Sequence, residues 1–163
     1  MIRIISLGVL VAALLINMYL SAGVSDNQIQ VLNAWSPAAP PTMAMHAGYL
    51  SLQNHSSETI ELVAVSSPAY KSIEIHESLL VDGVLSMRML RGLSVEPRKK
   101  IQFKSGGLHL MMRQPLAVRQ VGDSFPVSFK LADGALIEFL MQVSSTGLVD
   151  TEASSTDMHH HHH

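Results

Sequence analysis

From Gln28 to Val143 apolar side chains recur at every second position, and no stretch of that span carries a helical period. A repeat of two belongs to an extended chain with one face buried, so the span is committed to sheet. In IQVLNAW, Ile29, Val31 and Ala34 take the apolar side. AGYLSLQN puts Leu50 and Leu52 on one face, Tyr49 and Ser51 on the other, and ETIELVAVSS sets Ile60, Leu62 and Ala64 against Glu61, Val63 and Val65. KKIQFKSGG and LHLMMR are shorter alternating runs. Two longer ones, KSIEIHESLLVDGVLSMRML and SFPVSFKLADGALIEFLMQV, each break at Asp-Gly (Asp82-Gly83 and Asp133-Gly134), which is a strong hairpin signal. Pro37, Pro40, Pro41, Pro68, Pro97 and Pro115 punctuate the spaces between the runs, and Pro126 stands near the start of the last one. About eight short strands in about 115 residues imply an all-β Greek-key sandwich or barrel.

The ends of the chain have a different character. Arg3 precedes an apolar run of about 17 residues, Ile4 to Leu20, followed by Ser21, Ala22 and Gly23. Residues 1–23 therefore read as a secretory signal peptide, or, if uncleaved, as an N-terminal membrane anchor at the short end of what spans a bilayer. Either way the rest is exported, and a bacterial periplasm is the expected location. Residues 28–145 form the β domain. Residues 146–163 are rich in Ser, Thr and acidic side chains and end in five histidines, which reads as a solvated tail.

Composition removes several classes of function. There is no cysteine, and so no disulfide scaffold, thiolate zinc site, iron–sulfur cluster or blue-copper centre. A formal net charge of -2 with no basic block argues against nucleic-acid binding by phosphate neutralisation. No Ser/His/Asp constellation or carboxylate pair stands out, and no enzymatic activity is expected. Two counts are unusual, ten methionines and nine histidines.

Four histidines lie outside the tail: His46, His55, His76 and His109. His109 and Met111 are two apart in a predicted strand and leave one face, while Leu108, Leu110 and Met112 take the other. With Asp82-Gly83 as turn residues, Ser78 opposes Met87 and His76 opposes Met89. His76 and Met87 are then diagonal neighbours, roughly 7–8 Å apart at the backbone. Thioethers are neutral, soft and do not titrate in water; they suit Cu(I) far better than zinc, magnesium or calcium, and neutral imidazole suits copper as well. Without a thiolate, a metal on such a set stays exchangeable. Methionine in a β core is commonly a gap filler, so the spacing alone leaves core and ligand evenly matched.

His76, ten residues, Met87, twenty-one residues, His109-Leu110-Met111 resembles the H-x10-M-x21-H-x-M signature of the periplasmic copper chaperones called PCu(A)C. AGYLSLQN, IEIHES, DGVLSMR and SGGLHLMM are similar to that family as well, and the resemblance runs from about Ile29 to Val143. It implies a cupredoxin-like Greek-key fold and a solvent-exposed Cu(I) site with His76, Met87, His109 and Met111 as ligands. It further implies delivery of copper to the CuA centre of cytochrome c oxidase subunit II, to a Sco-type chaperone, or both. Glu77 follows His76 where some members carry Met, which leaves no auxiliary ligand at that position. A monomer is expected, with membrane contact only through an uncleaved N-terminus.

Other residues are placed by the same reasoning. Met89 is on the ligand face but off the signature, and reads as site wall or core. Met43, Met45 and His46 form a soft cluster that is either an auxiliary copper contact or an ordinary loop. His55 reads as surface. The terminal histidine run is either a native tail that captures Cu(II) or a purification tag. The competing functional classes are a metal-independent secreted β-sandwich serving in adhesion or assembly, and a copper scavenging or storage protein.

Overall fold

The computed structural model describes residues 28–145, and among them all regular structure is strand. There are ten: β1 (Ile29–Pro37), β2 (Met45–Asn54), β3 (Ile60–Ser66), β4 (Tyr70–Val81), β5 (Val84–Leu90), β6 (Leu93–Val95), β7 (Lys100–Phe103), β8 (Leu108–Pro115), β9 (Ser124–Leu131) and β10 (Leu136–Ser144). The signal-peptide and tail segments lie outside the described residues. The expected all-β class holds. The short strand β6, too brief to alternate visibly, was not among the runs that the sequence displays.

All ten strands join one sheet in the order β5-β4-β8-β7-β2-β1-β10-β9-β3-β6, with β8 also pairing β2. β8 takes the first half of β2 (Met45↔Arg113 to Gly48↔Leu110) and β7 the second half (Leu50↔Phe103 to Gln53↔Lys100). The edge strands β5 and β6 stand at opposite ends of the sheet, yet only Arg91 and Gly92 join them. Three Cα–Cα steps of about 3.8 Å cannot cross a flat sheet of this width. The sheet is therefore curled until its edges almost meet, an open barrel with sandwich-like walls. The seam between β3 and the β4–β5 edge holds a cleft of about 270 Å³ lined by Leu62, Val65, Ile73, Ile75, Met89 and Leu90, among others.

The walls meet over a core of Leu50, Leu52, Leu62, Leu110, Met112, Phe125, Val127, Phe129 and Met141, all nearly or fully buried. Ring contacts cross it: Tyr70 to Phe125 at 5.3 Å and Phe103 to Phe129 at 6.4 Å between centroids. A Cβ built on Gly48 would come within 3.1 Å of Met141 Cε, so the tip of the Met141 side chain packs directly on the β2 backbone at that point.

Two bulges reset the alternation. In β1 the register shifts between Leu32 and Trp35, where Asn33 takes φ 50°, and this lets Ile29 and Ala34 both face inward. In β3 it shifts between Leu62 and Ala64. Ala64 is consequently exposed and Val65 packs against the core, the reverse of strict alternation. The Asp82-Gly83 turn has two residues, both with positive φ (51° and 79°), and closes Val81 on Val84. That is the turn geometry an Asp-Gly pair favours between twisted strands. The second Asp-Gly turn is wider: the Leu131 amide donates to Ala135 O (2.9 Å) and the Gly134 amide to Leu131 O (3.0 Å).

Candidate metal centre

β4 lies between β5 and β8, and its register with both is the register of the site. Across β4–β5, His76 faces Met89 and Ser78 faces Met87, as the two-residue turn predicts. Across β4–β8, His76 faces His109 and Glu74 faces Met111. Ile73, Ile75, Leu110 and Met112 point to the opposite face and are buried in the core. The two His/Met pairs thus share one face of adjacent strands. The β4–β8 pairing is a contact between distant parts of the chain, and local periodicity carries no trace of it.

The imidazole centroids of His76 and His109 are 5.9 Å apart. Both residues are buried (7% and 8% exposed), while Met87 and Met89 are 50% and 51% exposed and Met111 is half-buried. Nitrogen donors lie beneath, thioethers toward solvent.

Hydrogen bonds leave each ring one free nitrogen. His109 Nδ1 lies 3.0 Å from Gly107 O, and a carbonyl only accepts, so Nδ1 carries the proton and Nε2 the lone pair. His76 Nε2 lies 2.8 Å from Glu74 Oε2, and an ionised carboxylate likewise only accepts. The lone pair of His76 is then on Nδ1, which is buried and has no hydrogen-bond partner. A buried nitrogen without a partner is costly unless something else uses its lone pair. Among the described residues no three His, Cys, Asp or Glu side chains converge as a metal site. A cation held by the His76–His109 pair must take its other donors elsewhere, and the register supplies thioethers on the same face. This donor set fits a soft monovalent ion.

Two residues that sequence reasoning passed over complete the surroundings. Glu74, which holds His76, also lies 3.4 Å from Arg113 Nη2. The same Nη2 donates to Met111 Sδ at 3.4 Å. Alternation was a sufficient signal for both, because Glu74 is two residues before His76 and Arg113 two after Met111.

The remaining candidates separate cleanly. Met89 is half-exposed and directly opposite His76, a wall of the site and not core. Met45 opens β2, which starts earlier than the alternating run, and it faces Arg113. His46 is next in sequence and so points to the other face. There its Nδ1 shares a 2.8 Å hydrogen bond with the Tyr70 hydroxyl, and the rings stack edge to face. His46 therefore cannot join Met45 around one ion. Burial lowers the His46 pKa and raises that of the Tyr70 hydroxyl. His55 is exposed, with Nε2 3.0 Å from Gln30 Oε1.

Residues 29–143 match the family described as LpqE-like, "Putative lipoprotein LpqE-like". The chain belongs to that family. It is also 26% identical over 114 residues to the "Putative lipoprotein Lxx21020" of Leifsonia xyli subsp. xyli, an alignment covering 69% of this chain and 68% of that protein. Among solved structures, the copper-bound PCuAC domain from PmoF2 superposes with a TM-score of 0.61 at 14% identity, covering 73% of this chain and 94% of the domain. The solution structure of CuI-DR1885 from Deinococcus radiodurans superposes with a TM-score of 0.60 at 25% identity, covering 76% and 83%. This LpqE-like chain has the PCuAC fold.

Proposed function

We propose that this LpqE-like protein is an exported copper chaperone. It binds one Cu(I) through His76, Met87, His109 and Met111 and passes it on as cargo. The observation that supports this most directly is the pair of buried imidazoles 5.9 Å apart, each left with one unprotonated nitrogen, beside thioethers on the same face. The copper-bound forms of PmoF2 and DR1885 with this fold favour the same cargo. The lipoprotein description of the family and the apolar N-terminal run support export, with the periplasm as the place of work. The acceptor is the CuA domain of cytochrome c oxidase subunit II or a Sco-type chaperone, whose thiolates are stronger Cu(I) donors than thioethers. The half-exposed methionines leave the ion open to an incoming ligand. The terminal histidines, with borderline nitrogen donors only, take Cu(II).

The experiment titrates protein lacking residues 146–163 with Cu(I), Cu(II) and Zn(II) against competing chelators. One tight Cu(I) and much weaker Cu(II) and Zn(II) are expected; equal affinities overturn the reading. Cu(I)-loaded protein is then mixed with a copper-free dithiol acceptor, and copper is assayed in each after separation. Copper retained under excess acceptor argues for storage in place of delivery.

A further inference from the structure

One carboxylate reaches toward two of the four proposed ligands. Glu74 Oε2 accepts from His76 Nε2 (2.8 Å) and lies 3.4 Å from Arg113 Nη2, and that same Nη2 donates to Met111 Sδ (3.4 Å). The cross-strand pairing Glu74↔Met111 sets these groups side by side. We propose that Glu74, held in place by Arg113, is a positioning residue that locks His76 in its Nε2–H tautomer, so that Nδ1 is the nitrogen offered to copper. The inference rests on the chaperone reading for its consequence, but its physical core is a property of the metal-free protein.

An imidazole in water exchanges its proton between two nitrogens, and either can turn toward a metal. In the fold, His76 has no such freedom. Its Nε2 faces a carboxylate that can only accept, and its Nδ1 is buried with no partner. The preferred tautomer is therefore chosen before any ion arrives, and the ring's orientation with it. Metal-binding histidines commonly rely on such a carboxylate, and removing it typically costs 10–100-fold in affinity. Arg113 prevents Glu74 from swinging out to water. Its contact with the Met111 sulfur is a weaker link, since a thioether accepts poorly. Glu74 as a direct ligand is disfavoured, because a hard oxygen donor suits Cu(I) badly.

The test uses the ring nitrogens themselves. Long-range 15N–1H correlation spectra of the metal-free protein report which nitrogen of His76 is protonated. Wild type should show Nε2–H. Glu74→Leu should show a mixture, with Cu(I) affinity 10–100-fold weaker by chelator competition. Glu74→Gln should stay near wild type in both, because its amide oxygen still accepts from Nε2–H. Arg113→Gln serves as a second variant at a side chain 44% exposed, and should lose part of the tautomer preference. Nδ1–H in wild type, or Glu74→Leu with an unchanged tautomer, overturns the proposal. So does full Cu(I) affinity in Glu74→Leu while the wild type binds copper. A wild type that binds no Cu(I) overturns the chaperone reading instead, and the tautomer spectra still decide the role of Glu74.

Discussion

Met111 and Met112 are adjacent in sequence and opposite in fate. Met112 is fully buried among Leu110, Ile73 and other core side chains, whereas Met111 faces Glu74 and Arg113 at the surface. Truncating Met112 to alanine should cost about 2–5 kcal/mol, as for other buried large-to-small changes. Met111→Ala and Met87→Ala should each cost about 0.5 kcal/mol or less in the metal-free protein, while Cu(I) affinity falls for want of a soft donor. Urea melts beside chelator competition separate the two roles. Met89→Ala in the same series asks whether the direct neighbour of His76 contributes as much as the diagonal Met87. A second residue-scale prediction concerns His46. Its pKa is lowered by burial, so at acidic pH the unfolded chain binds a proton that the folded chain resists. The stability tied to His46 is full above its ordinary value near 6.5, declines as pH falls below that, and levels off beneath the folded value. His46→Gln removes this component. The stability gap between the wild type and His46→Gln should shift against the wild type between pH 7.5 and pH 5. A constant gap contradicts the assignment.

At the scale of elements, the legible features were those that a short window contains. Asp82-Gly83 with its flanking alternation fixed the pairing of His76 with Met89 and of Ser78 with Met87, because a two-residue turn has one register. The HLM triplet fixed which side chains of β8 share a face. The bulge at Leu62/Ala64 was not legible, since it depends on β9, the partner of β3. The adjacency of β4 and β8, which brings the histidines together, was equally hidden. Asn54 was missed for the same reason. It is fully buried, its Nδ2 donates to Glu58 O (2.7 Å), Val95 O (2.9 Å) and Glu96 O (3.1 Å), and its Oδ1 accepts from the Ser56 amide and hydroxyl (2.8 Å each). One amide thus ties the end of β2 and the following loop to the end of β6. Asn54→Leu strands these carbonyls and should cost about 2–4 kcal/mol. Amide exchange should accelerate first around Ser56 and Val95, and exchange that rises evenly over the whole chain would refute this local role.

For the molecule as a whole, the pairing of β1 with β10 is the feature with the widest reach. They are the first and last described strands, they run parallel, and Trp35, Ser36 and Pro37 register with Gln142, Val143 and Ser144. Everything between them must be threaded into place before that ladder can close. Non-local pairing of this kind has to meet the cost of loop closure before it gains any contact, and all-β domains with it fold in milliseconds to seconds. Refolding from urea should fall in that range, and a microsecond phase that recovers full structure would contradict it. Until Leu136–Ser144 is in place the sheet stays split in two, because β1 and β9 each show an open edge that β10 covers. An open strand edge is a template for pairing with another chain. The protein therefore carries a window of vulnerability that lasts as long as its final strand is unmade.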